Sequence, residues 1–410
     1  MLPISARSAK LAMAAAAGLA AMALAGPATA TASTGTSARP ATAARPATSA
    51  RTKAPQLRVR QLLNGQDLRH TFTPSGSAGP QTEPLSSPDD MTRLGDHLFT
   101  AFQNGVGPQG EPSPDGNADS TVVEFTTSGA VIAQWDVHGK CDGLTADPRA
   151  GVVIATVNED ANSSVYTIRP GAHSGSGLLH YSYNEPLPHF GGTDAISVYR
   201  GQVLISASAP GTTGAPAPQP TYPAVYSVRF DRASLVATVT PLFYDEDPAV
   251  NVTAGPALRQ VAPLALTDPD SNEVVPPSAP RFGGDFMLTS QGDQEQVFLL
   301  RGRGHRSGPR LAVLELANAV DDTAWTAGRG VLVGTNTSGD TVDEITGRFR
   351  PGTIFVAVTP CDASDAPATC PGPAFPANFL GTLNPWTGAI TPAQLAGPAF
   401  QPQGLIFVSR

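Results

Sequence analysis

Four aspartates, Asp90, Asp142, Asp194 and Asp322, are the residues whose type and spacing could carry chemistry. The first three lie 52 residues apart, and each of the four opens a stretch that continues through a turn into a strongly apolar run. If the segments that carry them surround a common channel, their carboxylates converge and raise one another's pKa values unless a cation lies among them. Hard oxygen ligands in a flexible ring suit Ca²⁺, so the pattern predicts a calcium site at these residues.

The same aspartates also fit a purely structural role. An Asp side chain accepts hydrogen bonds from backbone N–H groups of its own tight turn, and one such residue in nearly every repeat is what a turn former gives. Asp321, next to Asp322, could take the position equally well. Both interpretations, a calcium site and a set of turn formers, stay open at this point.

The three cysteines suit an oxidising compartment. Cys361 and Cys370 bracket a polar, Pro-containing loop that a disulfide could close, so we predict that they are bonded and pin a surface loop. Cys141 has no remaining partner. We expect it to be a buried, inert thiol.

Charge and missing motifs exclude several classes of function. Residues 1–60 hold eight Arg and Lys and no acid, so 34 acidic residues face 18 basic ones beyond position 60. A surface that acidic repels phosphate backbones, which argues against nucleic-acid binding. No P-loop, HExxH or Gly-x-Ser-x-Gly motif occurs, and hydrolysis by a serine triad has no support.

The elements that must position the aspartates are short strands. The chain holds 41 Gly and 40 Pro, which suits many strands joined by turns and opposes long helices. From residue 56 to 410 a unit recurs that has an Asp-led opening, an apolar strand and two amphipathic strands. The fourth unit is expected to open at residues 263–266, and residues 330–335 are expected to be the second strand of the fifth.

The end of the chain begins a further unit and stops after its apolar strand. We expect residues 56–60 and 68–72 to supply the missing outer strands. The sequence therefore predicts an all-β fold, a single β-propeller over residues 56–410 with about six four-stranded blades, closed by strands from both termini.

The beginning of the chain has the layout of an export signal. Arg7 and Lys10 precede an apolar stretch at 11–25, too short for the roughly 20 residues that cross a bilayer. We predict a cleavable signal peptide at residues 1–30, a disordered Ala/Thr/Pro/Arg linker at 31–55, a secreted mature protein and no membrane span.

The repeated Asp-(Gly/Ala)-(Leu/Ile) opening, as in Asp142-Gly143-Leu144, leads through a Gly turn to a Val/Ile-rich strand, as in Val152-Val153-Ile154. This pattern resembles secreted bacterial propellers of the NHL, YVTN and gluconolactonase-like group, which includes lactonases, electron-transfer enzymes and binding scaffolds. Gluconolactonase-like enzymes hold a divalent metal with a Glu, an Asn and an Asp at the channel mouth. Here the matching openings carry only Asp.

Two functions from different classes follow. The first is an extracellular binding or scaffold protein, a monomer with a protein or glycan partner. The second is a calcium-dependent hydrolase or lactonase with its site at the Asp-lined mouth of the channel. The sequence assigns no catalytic residue.

Overall fold

The computed structural model describes residues 56–410 apart from 75, 76, 78, 172, 188–191, 209–220, 302–309 and 360–377. The predicted signal peptide and linker, and the predicted disulfide cysteines Cys361 and Cys370, lie outside the described residues. Within the described part the chain forms 29 β-strands, two single-turn 3-10 helices (Gly65–Asp67 and Thr337–Gly339) and no α-helix. The predicted all-β class is confirmed. No helix in this part of the chain is long and apolar enough to cross a bilayer.

The strands are numbered in chain order. They are β1 (Leu57–Asn64), β2 (Arg69–Phe72), β3 (Gln81–Pro84), β4 (Pro88–Leu94), β5 (His97–Phe102), β6 (Asp119–Thr126), β7 (Val131–His138), β8 (Cys141–Asp147), β9 (Val152–Val157), β10 (Ser164–Ile168), β11 (Leu178–Tyr183), β12 (Ile196–Tyr199), β13 (Gln202–Ser206), β14 (Pro223–Asp231), β15 (Val236–Tyr244), β16 (Pro248–Asn251), β17 (Val261–Pro263), β18 (Pro269–Val274), β19 (Phe286–Ser290), β20 (Glu295–Leu299), β21 (Leu311–Glu315), β22 (Val320–Trp325), β23 (Gly330–Asn336), β24 (Thr341–Thr346), β25 (Ile354–Val358), β26 (Phe379–Leu383), β27 (Ile390–Pro392), β28 (Leu395–Ala396) and β29 (Pro402–Ser409).

Four antiparallel sets of four strands are consecutive in the chain: β4–β7, β8–β11, β12–β15 and β18–β21. Their second strands are buried along most or all of their length, and β9 and β19 are buried at every residue, because a neighbouring sheet covers each face. Their outer strands alternate. In β7, Ala133, Trp135 and Val137 are buried while Asp136 and His138 are exposed, which is the period-2 pattern of a half-covered strand.

The last two sheets are interleaved. One has the order β22-β25-β26-β27, and the other has the order β29-β23-β24-β1 with β28 beyond β1. The prediction that residues 330–335 follow the fifth opening within its own sheet is therefore wrong, because β23 pairs with the C-terminal β29. The absence of a side chain at Gly330 permits this pairing, since a Cβ there would overlap the carbonyl oxygen of Val408.

The beginning of the described chain joins the same sheet as its end. β1 pairs antiparallel with β24, which pairs with β23, which in turn pairs with β29. Residues 68–72, the second strand expected at this edge, lie elsewhere: β2 pairs with β3 in a separate two-stranded sheet. His70 is buried in this hairpin and its Nε2 lies 2.8 Å from Glu83 Oε1.

The sheets are arranged radially. The innermost strands β4, β8, β12, β18, β22 and β29 contact one another in that order, and β29 contacts β4. Apolar side chains fill the spaces between neighbouring sheets; one such cluster joins Phe99 and Trp135 of the first sheet to Val153 and Tyr166 of the second. This radial packing of small antiparallel sheets is the arrangement of a β-propeller.

One predicted opening is misplaced. The fourth innermost strand is β18, at Pro269–Val274, and not residues 263–266. Leu264 and Leu266 are buried in the core between the third and fourth sheets. The apolar residues 263–266 were mistaken for the innermost strand, whereas the strand that faces the channel in this sheet, β18, is polar.

Candidate functional site

The first residues of all six innermost strands line one cavity of about 370 Å³. At the start of four of these strands, the pairing with the second strand skips two residues, which forms a β-bulge. A bulge sets two successive residues opposite one residue of the partner strand. The bulged pairs are Asp89-Asp90, Asp142-Gly143, Asp321-Asp322 and Gln403-Gly404, and every member except Gly143 lines the cavity.

The first member of the pair is acidic in five of the six innermost strands. Asp194 precedes β12 and Asp270 is the skipped residue at the start of β18, so they take the same position as the first member of each pair. We call the following set the carboxylate ring: Asp89, Asp142, Asp194, Asp270 and Asp321. Gln403 holds the sixth position.

Asp142 is the ring member whose surroundings are most fully defined. Its Oδ1 accepts a hydrogen bond from Gln103 Nε2 at 2.9 Å and lies 2.9 Å from Lys140 Nζ. Gln103 Nε2 also donates to Asp89 Oδ2 at 2.9 Å, and Lys140 Nζ also pairs with Glu159. The Asp142 side chain is only 4% exposed. Its Oδ2 is buried and has no hydrogen-bond partner among the described residues.

The opposite side of the ring carries a pair of interacting carboxyl groups. Burial raises the pKa values of Asp270 and Asp321 well above 3.8, and the negative charge of Asp321 further raises the pKa of Asp270. Gln291 Nε2 donates to Asp270 Oδ2 at 3.3 Å. The pair can hold or release a proton at the wall of the cavity.

Burial and mutual repulsion make the ring carboxylates difficult to ionise. Burial is the largest cause for each, and it raises the pKa of Asp89 to about 7 and the pKa values of Asp142 and Asp194 well above 3.8. Neighbouring carboxylates add to this effect, because Glu159 and Asp142 further raise the pKa of Asp194. Protonation therefore relieves part of the negative charge of the cavity at neutral pH.

Lys140 supplies the positive charge within this acidic group. Burial lowers the pKa of its ammonium, but Asp142, Glu159 and Asp89 together outweigh burial and raise that pKa above 10.5. The described lining of the cavity contains nine acidic side chains and this one basic side chain. The acids are Asp89, Asp90, Asp142, Glu159, Asp194, Asp270, Glu273, Asp321 and Asp322.

Asp90 and Asp322 have a different role from the carboxylate ring. Each accepts a hydrogen bond from the next backbone N–H at 2.6 Å with Oδ1. With Oδ2, Asp90 accepts from Leu144 N and Asp322 from Leu405 N, both at 2.6 Å and both on the neighbouring innermost strand. We call these two residues the bridging aspartates. They tie adjacent sheets together, a structural role that differs from the hydrogen bonding within their own turns that the sequence suggested.

The structure thus divides the four aspartates predicted from the sequence. Asp142 and Asp194 belong to the carboxylate ring, whereas Asp90 and Asp322 are bridging aspartates that also line the cavity. Sequence reasoning missed Asp270 as a ring residue. The 52-residue spacing between Asp270 and Asp322 was available as a signal.

Lys140 and Gln103 were not singled out either, because one lysine or glutamine carries no repeat pattern. Among the described residues, no group of three or more His, Cys, Asp or Glu is placed to hold a metal ion together. The calcium site stays a prediction. Cys141 is buried and free in the described chain, and burial raises the pKa of its thiol well above 9.0, as an inert thiol requires.

Comparison with known proteins gives similarities of fold only. No protein-family model matches this chain, and no curated protein matches it. Among solved structures, the periplasmic gluconolactonase of Pseudomonas aeruginosa is 14% identical, with 86% of this chain and 99% of that chain covered and a TM-score of 0.40.

Two further structures show the range of similar proteins. A β-propeller domain from Myceliophteria thermophila is 11% identical, with 80% and 78% coverage and a TM-score of 0.37. Hydrazine synthase of Kuenenia stuttgartiensis is 10% identical with a TM-score of 0.37; the match covers 76% of this chain and 66% of that one. At these identities and scores, none of them assigns an activity or a ligand to this chain.

Proposed function

We propose that the protein is an exported, six-bladed β-propeller that acts as a binding protein. The contact of β29 with β4, and the shared sheet of β1 and β29, support a ring of six blades closed by strands from both ends of the chain. Residues 1–30 act as the export signal and residues 31–55 as a linker. The propeller is a monomer and binds its partner outside the cell.

An exported protein reaches an oxidising compartment, and we therefore propose a disulfide between Cys361 and Cys370. Alkylation of the unfolded, exported protein with and without reductant, followed by mass spectrometry, counts the free cysteines. We expect one alkylated cysteine, Cys141, without reductant and three with it. Three alkylated cysteines without reductant would show that the loop is not cross-linked.

The ligand binds at the channel mouth through a positively charged group. The carboxylate ring carries this conclusion, because it sets five acids around one cavity that contains a single lysine. A carboxylate in a partly buried cavity is less well hydrated than one at the surface, so a cation is stabilised there more strongly. Of the two partner classes expected from the sequence, a protein that presents amino groups fits this charge better than a glycan.

The bridging aspartates favour binding over catalysis. Asp90 and Asp322 use both of their oxygens for backbone hydrogen bonds, and Asp142 Oδ1 is already paired with Lys140. Groups fixed in this way shape and charge the cavity, and moving them for proton transfer breaks the contacts between neighbouring sheets.

A calcium-dependent hydrolase or lactonase is the second candidate. It is favoured by the Oδ2 of Asp142, a buried oxygen with no described partner, and by the Asp270–Asp321 pair, which could exchange a proton with a substrate. A hard cation bound at that oxygen would polarise a substrate carbonyl.

Isothermal titration calorimetry at pH 8 tests cation binding, with CaCl₂ and trilysine as probes. We expect a saturable signal with at least one of them, weakened at least tenfold by Asp142→Asn. Asp96→Asn, whose side chain is fully exposed, serves as the matched control and leaves binding unchanged. The proposal is wrong if neither cation binds, or if Asp142→Asn binds as the native chain does. Calcium-dependent turnover in a lactone panel would select the hydrolase.

A further inference from the structure

The cavity has an acidic zone and an apolar zone. The carboxylate ring lies at the start of the innermost strands. Farther along, the cavity is lined by four partly exposed aliphatic side chains, Ala146, Val198, Val274 and Ile406, beside polar ones that include Thr145, Ser197 and Glu273. Val198, Val274 and Ile406 also pack against the apolar clusters between neighbouring sheets. We call the four aliphatic side chains the apolar zone, and a ligand that reaches past the ring can contact them.

The protein already holds a primary ammonium in the acidic zone. Lys140 Nζ lies 2.9 Å from Asp142 Oδ1 and also pairs with Glu159. Its side chain is only 17% exposed, which shows that the ring accommodates a desolvated alkylammonium group. Asp142 Oδ2, buried and without a described partner, offers the same carboxylate to a second ammonium.

The acidic zone suits an ammonium better than a metal ion. Calcium takes six to eight oxygens at about 2.3–2.6 Å. In the described residues the carboxylates are distributed around a cavity of about 370 Å³, and no three of them are placed together as metal ligands. The ammonium of an alkylamine needs only two or three acceptors, and its alkyl chain matches the apolar zone.

We propose that the channel binds a primary aliphatic amine, with its ammonium at Asp142 and Asp194 and its alkyl chain against Val198, Val274 and Ile406. This rests on the proposed function, in which a cation binds at the mouth, and names the class of that cation. The source is either a free alkylamine or the lysine side chain of a partner. A cavity of this size lies within the roughly 300–1,000 Å³ of small-molecule pockets.

Calorimetry at pH 8 with four probes tests the inference: hexylamine, ethylamine, hexanol and CaCl₂. Each buried methylene contributes about 0.8 kcal/mol, or roughly a fourfold gain in affinity, so we expect hexylamine to bind at least tenfold more tightly than ethylamine. Hexanol, which has the chain without the charge, should not bind measurably. Asp142→Asn and Asp194→Asn should each weaken hexylamine at least tenfold, and Asp96→Asn should have no effect.

The outcomes separate this inference from the proposed function. If Ca²⁺ binds and no amine binds, the proposal that the ligand is an amine is wrong, but the proposed function as a cation-binding protein stands. Equal affinity for hexylamine and ethylamine also overturns the amine proposal, because the apolar zone is then unused. If no cation binds, both fail. A lysine-containing peptide that binds, while its Nε-acetylated form and free hexylamine do not, supports the amine and identifies a partner's lysine as its source. Circular dichroism of both variants checks that they fold.

Discussion

Replacing Asp89 by Asn should stabilise the protein, and the gain should grow with pH. Asp89 is 7% exposed, and its Oδ2 accepts a hydrogen bond from Gln103 that an Asn side-chain oxygen can also accept. Burial, opposed by Lys140 and reinforced by Glu159, raises its pKa from 3.8 to about 7. Asp89→Asn therefore keeps the contact and removes the charge.

The magnitude follows from proton linkage. In the unfolded chain Asp89 ionises near pH 4, whereas in the folded chain it keeps its proton until about pH 7. The stability that the protonated carboxyl contributes is fully present below pH 4 and is lost as pH rises through 7. Each tenfold difference between the two ionisation constants is worth about 1.4 kcal/mol, so the native chain loses up to roughly 4 kcal/mol by pH 8, and Asp89→Asn avoids that loss.

Urea denaturation between pH 4.5 and 8 measures the difference. We expect the free energy of unfolding of Asp89→Asn to exceed that of the native chain by less than about 1.5 kcal/mol at pH 4.5 and by several kcal/mol at pH 8. Asp96→Asn should show no such trend, because its side chain is fully exposed. A difference that is constant with pH, or that grows as pH falls, refutes the account of a repulsive carboxylate ring.

Three further predictions concern the contacts that hold the sheets together. Asp90→Ala leaves two buried N–H groups without an acceptor and should lower the free energy of unfolding by about 2–4 kcal/mol, against no change for Asp96→Ala in the same denaturation assay. Gly143→Ala should cost at least about 2 kcal/mol, because its Cβ would overlap the backbone of the neighbouring sheet, whereas Gly79→Ala has open space and should be neutral. A chain that starts at Gln56 should melt as the full chain does, and removal of residues 57–64 as well should lower the melting temperature by more than about 5 °C, since β24 then loses one of its two partner strands.

The strands could be predicted from the sequence because their local patterns are distinct. Continuous apolar runs identify strands covered on both faces, and β9 occurs where the run Val152-Val153-Ile154 predicts it. The strand with which each strand pairs is harder to predict from the sequence. β23 has the same apolar pattern whether it pairs with β22 or β29, and only the close approach at Gly330 distinguishes the two.

The candidate site was predicted in part for a similar reason. Repetition at 52-residue intervals reveals Asp142 and Asp194, but it cannot show which member of an adjacent pair faces the ring and which bridges two strands. That choice depends on a β-bulge, which is a property of pairing. Asp270 follows a Pro-rich segment that lengthens its repeat, so it lies 76 residues after Asp194, and the 52-residue interval indicates it only when counted back from Asp322.

The interleaving of the last two sheets has a consequence for how the protein folds. Neither sheet is a continuous piece of chain: β22 pairs with β25 across the intervening β23 and β24, while β23 pairs with β29 and β24 pairs with β1. The first and last strands are separated by almost the whole sequence, and such distant contacts slow folding. The sheet that contains both β1 and β29 is therefore expected to complete late in folding. Once both sheets have formed, neither can unfold without opening the other.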